Sequence, residues 1–441
     1  MSGAILSSSI ENTEKVRNAF SGGLASTAFI PGLGPVEVEE LTLSAKTPLV
    51  DVKSPNTGQR DLPALTGLRF IAALIVFFGH VVHPIHPGNA NLAAPFSDDG
   101  LTATLITLAT PATYMAMTLF FMLSGFVITW SFKSGQRMTS FWRRRVVKIF
   151  PSHAVTWALC MLLFASAFTT NNGILNLFFL DTWFNELSFW GGANGPAWSL
   201  NAEMLFYLLF PILLLPIRRI PDKMLWLSAG VLVALYAGAC LFTATVIPDT
   251  PTYGGEFSIP QFWFVYFFPP MRLFEFLLGV LVARIVMSGR WPRIPVAIVG
   301  VLLVGSYLLI PEVPFAYRVA FVSLVPIALA IGNLASANLR GRRTVLGTGP
   351  MEWLGRVSFG FYMTQSAVLL GVRYAVLPDV EFGVVGGTLL ILGLFAVNLF
   401  CGWLLHIGVE LPAMKRWSRS KKKPAAGNAP RTDEPDKVPA L

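Results

Sequence analysis

The chain has 441 residues, of which 54% are apolar, 13% aromatic and only 13% charged, and its mean hydropathy is +0.60. A soluble globular chain carries about 25% charged residues, so the composition excludes an ordinary soluble enzyme and excludes disorder over most of the length. The net charge of +9 would suit a nucleic-acid partner, but no binding motif accompanies it, and none is expected. Recurrent apolar runs of bilayer-spanning length predict an all-α, polytopic membrane protein, since in lipid each span must satisfy its own backbone hydrogen bonds.

Residues 1–62 are polar and mixed in charge, with no apolar stretch near Met1. They predict no cleaved secretory signal and a mostly disordered cytoplasmic extension over 1–60, with a short amphipathic stretch around Lys15–Ile30. Ten candidate spans follow, at 63–83, 113–131, 149–168, 199–217, 224–247, 261–283, 295–311, 315–335, 352–373 and 384–406. They compose a transmembrane domain over 61–412, followed by a basic cytoplasmic tail over 413–441. Of the 33 Lys and Arg residues, 28 fall in the termini and loops of one side, and the opposite loops (84–112, 169–198, 248–260, 312–314 and 374–383) carry none. This asymmetry predicts both termini in the cytoplasm. The Lys415–Lys423 cluster can also sit against anionic headgroups. The tail after Glu410 is too short and basic for an appended soluble domain, so a membrane-only form is expected.

The external loop 169–198 is too long to be structureless inside a compact protein. Its apolar run at 174–180 and its aromatics Trp183, Phe184, Phe189 and Trp190 leave two readings open: a re-entrant or interfacial roof over a cavity, or an aromatic anchor at the interface. Cys160, Cys240 and Cys401 each lie in an apolar run without paired spacing and read as small core residues.

Charged groups at membrane depth rarely stand without a partner or a task. In the first span, Arg69 and His80 are eleven residues apart. That is about 20° past three full turns, with a rise of about 16 Å, so both point along one helix face. The geometry suits a long ligand, with an anionic group at Arg69 and a reactive end at His80. It equally suits an arginine that snorkels and a histidine bonded to a neighbouring helix. Three arginines and Lys148 in FWRRRVVKIFP (141–151) can meet phosphates or merely mark the cytosolic side. Glu203, in PAWSLNAEMLFYLLFP (196–211), can orient His80, bind a hydroxylated substrate or pair with an arginine. Arg272 and Glu275 are three apart and can satisfy each other within the membrane. The triple histidine of HisValValHisProIleHis (80–86) is interrupted by Pro84 and has no acidic companions, so no metal site is expected.

In this order, across residues 60–412, these strings resemble the membrane-bound acyltransferase-3 family, which includes bacterial O-antigen and exopolysaccharide acetylases. The resemblance rests on Arg69 with His80, FFMLSGFVI, the basic run before IFP, WSLNAE followed by FYLLFP, RLFEFLLG, LGRVSFGFY, and the Glu-x-Pro at Glu410 to Pro412. It implies ten helices in a bacterial inner membrane. It also implies transfer of an acyl group, commonly acetyl from cytosolic acetyl-CoA, to a hydroxyl of an exopolysaccharide, lipopolysaccharide or lipid-linked sugar. No bound cofactor is implied; acyl-CoA is a co-substrate.

His80 is then catalytic, with Glu203 as the group that orients it. Arg69, Arg145 and Lys148 hold the donor, and Trp198, Ser199, Arg272, Glu275, Tyr362 and Glu410 support the site. A neutral imidazole, with a reference pKa near 6.5, suits a general base, and an acyl-histidine intermediate is an open alternative. The chain departs from the family in two places. Lys148 replaces the second of two paired arginines and keeps the charge without the bidentate fork. Gln365 stands where a histidine is common. The rival reading is a carrier of a small anion or glycan, since buried Arg and Glu also suit a translocation path, although the two halves show no repeat.

Overall fold

A chain this apolar has to close its backbone hydrogen bonds locally, and helices account for nearly all its regular structure. A computed structural model describes residues 61–82, 95–133, 135–164, 169–253, 257–372, 376–377 and 380–418. The extension over 1–60, the tail beyond 418, and His83 and His86 lie outside the described residues. The helices are α1 (Pro63–Val82), α2 (Asp99–Ser131), α3 (Met138–Phe164), α4 (Thr170–Leu177), α5 (Trp198–Arg219), α6 (Leu225–Val246), α7 (Pro269–Met287), α8 (Val296–Leu309), α9 (Phe321–Leu339), α10 (Gly349–Met363), α11 (Gln365–Gly371), α12 (Val384–Leu405) and α13 (Leu411–Trp417). The one sheet among the described residues is a two-residue hairpin pairing Thr252–Tyr253 with Phe257–Ser258.

Among the described residues, seven segments are long and apolar enough to cross a bilayer: α1, α2, α3, α6 with its preceding turn, α5 from Gly195, α9 from Phe315, and α12 through Trp417. The other three expected spans are also helical but differ in kind. The segment at 295–311 is short, the one at 352–373 is broken between α10 and α11, and α7 carries charge. Two boundaries move. The loop expected over 84–112 contains the first turns of α2, which begins at Asp99 because Asp98 Oδ1 accepts from the Leu101 amide at 2.9 Å and caps it. Pro111 is accommodated inside that helix. At 33 residues α2 is about 50 Å long, well beyond the roughly 30 Å of a hydrocarbon core. Helix α3 begins eleven residues before the expected span. Its arginine-rich first turns are good helix formers, and Trp142 ties them to α5 through a 2.9 Å bond from Nε1 to the Tyr207 carbonyl.

Helix α7 is the centre of the bundle, with thirteen of its nineteen residues buried. It packs closely on α2 through a reciprocal pair of glycines. A methyl group on Gly125 would run into the Phe276 carbonyl, and one on Gly279 into the Met122 carbonyl, so only glycine permits this approach. Phe206 of α5 stacks on Phe276 at 4.5 Å. Outward faces of α6, α8 and α12 carry exposed Leu235, Val301 and Leu389. Apolar surface of this extent faces lipid, and the protein is a multi-pass membrane protein.

The segment 169–198 is folded throughout the part described, as α4 followed by three 3₁₀ turns. It is held by a buried amide network. Asp181 accepts from Asn201 Nδ2 at 2.7 Å and from Asn176 Nδ2 at 3.0 Å, while Asn194 Nδ2 donates to the Met363 carbonyl at 3.2 Å. Trp190 is buried and packs on Phe267, as Trp198 does, so Trp190 is core, whereas Phe184 is exposed.

Burial pushes the Asp181 carboxyl from 3.8 up to about 6, against the lowering effect of its amide donors. The folded state therefore binds the proton more tightly than the unfolded chain. The stability that Asp181 contributes therefore falls as pH rises from about 4 to about 6 and is level above that, by on the order of 3 kcal/mol across the window. Melting followed with a thiol-reactive dye at the buried Cys160 and Cys240 is expected to respond more favourably to a change from pH 7.5 to pH 5 in the wild type than in Asp181→Asn, and an equal response in the two would contradict the assignment.

Candidate active site

A cavity of about 830 Å³ opens among α1, α2, α3, α5, α10 and the segment from His406 to Met414. On α2 its lining runs from Met117 to Ser131, about 21 Å at 1.5 Å per residue, with Phe120, Phe121 and Val127 as its apolar wall. One end is rich in cations: Lys133, Arg144, Arg145, Lys148 and Arg356, with Arg69 reaching in from α1. Glu203 and Glu410 are the acidic residues of the lining, so positive charge predominates.

The cations are held in distinct ways. Arg145 lies over the rings of Phe141 and Tyr207, at 5.3 and 5.7 Å, and its buried Nε has no hydrogen-bond partner among the described residues. Lys148 forms an ion pair with Glu410, whose other oxygen meets His406 Nδ1 at 3.0 Å. Glu410 and His406 are one helical turn apart, so the chain's own periodicity aligns them. Glu203 accepts a 2.7 Å bond from the Tyr207 hydroxyl, again an i, i+4 pair, and sits within the field of Arg69, Arg145 and Lys148.

The opposite end is closed by hydroxyls and rings. The Tyr362 hydroxyl donates to the Pro196 carbonyl at 2.8 Å and lies 3.0 Å from Ser199 Oγ. Its ring packs on Phe120 at 5.8 Å. Trp198 stands behind this layer, edge-on to Phe121.

Seven of the residues singled out from sequence therefore meet in one cavity: Arg69, Arg145, Lys148, Ser199, Glu203, Tyr362 and Glu410. Three expectations change. The corridor expected to join Arg69 to His80 ends at the Tyr362 layer, and His80 is not among the residues lining it. Glu203, expected to orient the imidazole, is engaged by Tyr207; the group on His80 Nδ1 is Gln365 Oε1, at 2.7 Å. Arg272 and Glu275 lie outside the cavity as a fully buried pair, Nη1 to Oε1 2.8 Å. There Arg272 Nε also donates to the Tyr266 carbonyl at 2.9 Å and the Thr118 hydroxyl to Glu275 at 3.2 Å. The sequence reading missed Lys133, Arg356 and His406 in the lining. It also missed Tyr207, which the four-residue spacing from Glu203 could have revealed.

The model of the acyltransferase-3 family, described as an acyltransferase domain, matches residues 62–407. The chain is 34% identical over 393 residues to the acyltransferase MdmB of Streptomyces mycarofaciens, covering 86% of this chain and 97% of that one. It is 29% identical over 220 residues to nodulation protein 10 of Rhizobium leguminosarum bv. viciae, covering 44% of this chain and 55% of that one. It is 23% identical over 293 residues to the peptidoglycan O-acetyltransferase OatA of Listeria monocytogenes serovar 1/2a, covering 58% of this chain and 45% of that one. Of the last two proteins, the chain spans about half the length. No solved structure matches it. With a family model matched over most of its length and a relative above 30% identity aligned nearly end to end, the chain belongs to the acyltransferase-3 family and is an acyltransferase for groups other than amino-acyl groups.

Proposed function

We propose that the protein moves an acyl group, most simply acetyl, from cytosolic acyl-CoA to a hydroxyl of a carbohydrate, without a bound cofactor. The observation that carries this reading is the cavity itself. Its cationic mouth, apolar wall and hydroxyl-lined end follow the order of a CoA thioester: phosphates, pantetheine arm, acyl group. Arg69, Arg145 and Lys148 hold the phosphates in this scheme, Arg145 offering its unpartnered Nε and a planar fork that suits phosphate oxygens. The acetyltransferase relative, named for peptidoglycan, supports a sugar hydroxyl as acceptor. The uneven distribution of Lys and Arg supports ten helices with both termini in the cytoplasm of a bacterial inner membrane. Residues 61–412 form the catalytic domain, flanked by the extension over 1–60 and the basic tail over 413–441.

In the transfer step, neutral His80 takes the proton of the acceptor hydroxyl as that oxygen attacks the thioester carbonyl. A C–O bond forms, the C–S bond breaks, and the CoA sulfur leaves with the proton returned by the imidazolium. In this scheme the Tyr362–Ser199 contact parts to let the thioester reach His80, these two hydroxyls acting as an inner gate.

CoA titrated into the purified protein in lipid nanodiscs tests the donor assignment. Binding by the wild type and a roughly 10- to 100-fold weakening in Arg145→Ala, the range for a lost charge-assisted contact, are expected. Equal affinity in wild type, Arg145→Ala and Lys148→Ala would remove the cavity as the donor site.

A further inference from the structure

Gln365 is the first residue of α11 and is fully buried. Its carboxamide bridges two points on α1: Oε1 lies 2.7 Å from His80 Nδ1, and Nε2 lies 3.5 Å from the Ala73 carbonyl oxygen. Together the two contacts select the amide's orientation, because exchanging its oxygen and nitrogen would set oxygen against the Ala73 carbonyl. With Oε1 toward the ring, the 2.7 Å contact is a hydrogen bond only when Nδ1 carries the proton. The neutral imidazole then holds its lone pair on Nε2.

The surroundings keep this amide in place. The break between α10 and α11 falls at Thr364, whose hydroxyl donates to Asn398 Oδ1 at 2.9 Å, and Asn398 Nδ2 donates to the Phe361 carbonyl at 2.9 Å. On the other side, Ser366 Oγ accepts from the Gly195 amide at 3.1 Å. Gln365 is thus clamped between α12 and the outer segment.

We propose that Gln365 is a positioning residue that fixes the Nδ1–H tautomer of His80, so that Nε2 is the atom that takes the acceptor's proton. The proposal rests on His80 acting as the general base. A carboxamide does this without adding charge to a buried site, whereas a carboxylate would do it at the cost of burying one.

The tests use the full-length protein in nanodiscs. Gln365→Leu removes the acceptor and is expected to lower kcat by about 10- to 100-fold, the loss found when the outer partner of a metal-ligating histidine is removed, with KM for acetyl-CoA unchanged. Gln365→Glu keeps an acceptor opposite Nδ1 and is expected to retain more activity than Gln365→Leu. A purely structural Gln365 predicts the reverse, because a buried carboxylate harms packing more than a leucine does. The ¹⁵N spectrum of the histidine-labelled wild type, assigned by comparison with His80→Ala, is expected to show His80 protonated at Nδ1. Protonation at Nε2 overturns the proposal, as does an activity order with Gln365→Glu at or below Gln365→Leu. Full activity in His80→Ala would overturn the underlying reading instead, and an inactive His80→Ala beside an unaffected Gln365→Leu would overturn only this inference.

Discussion

His80→Ala is expected to lower acyl transfer by about 10²- to 10⁴-fold, the range for a lost general base, while leaving CoA affinity unchanged. The split between the two effects follows from the structure. The cavity proposed for the donor is lined by Tyr362, Ser199 and Phe120, and His80, bonded to Gln365, is not part of that lining. A loss confined to turnover, measured by radiolabelled acetyl transfer beside CoA titration, fits a base that meets the thioester only after the inner end opens. A matching loss of CoA affinity would instead make His80 part of the donor site, and unchanged transfer would remove it from the chemistry.

Arg272→Met is expected to be the most destabilising single change in the bundle. Both members of the Arg272–Glu275 pair are completely buried on the central helix α7. Removing one leaves the Glu275 carboxylate with the Thr118 hydroxyl as its hydrogen-bond donor. Breaking a buried pair in this way costs about 3–5 kcal/mol, whereas replacing both members with apolar groups is often close to neutral. The double substitution Arg272→Met with Glu275→Leu is therefore expected to recover most of the loss in melting temperature. A melting temperature in Arg272→Met equal to the wild type would show that the pair carries little of the stability of α7. Because neither residue lines the cavity, the double variant is also expected to keep CoA affinity.

Much of this architecture is legible in the amino-acid order because the bilayer imposes a simple rule on backbone and side chain alike. Apolar length marks helices such as α1, α6 and α12, charge at depth marks Arg69 and Glu203, and the Glu-x-Pro string marks Glu410, three residues that do meet in the cavity. Helix ends were harder to read. The start of α2 depends on the Asp98 cap, and the start of α3 on a basic stretch that is helical although polar. The partner of His80 could not be found from spacing, since Gln365 lies 285 residues away and is brought there by the break at Thr364. Arg69 and His80 do lie on one helix, α1, but helical phase carries no information about the Tyr362–Ser199 layer, which is assembled from α5 and α10. The i, i+4 partners Tyr207 and His406 lay within reach of the same periodicity.

The most direct test of the account is turnover by the purified wild-type protein in nanodiscs, given acetyl-CoA labelled in the acetyl group and an oligosaccharide acceptor. The account predicts label in an ester on the sugar, with free CoA released in equal amount. Protein that binds acetyl-CoA but neither transfers nor hydrolyses the acetyl group would contradict it.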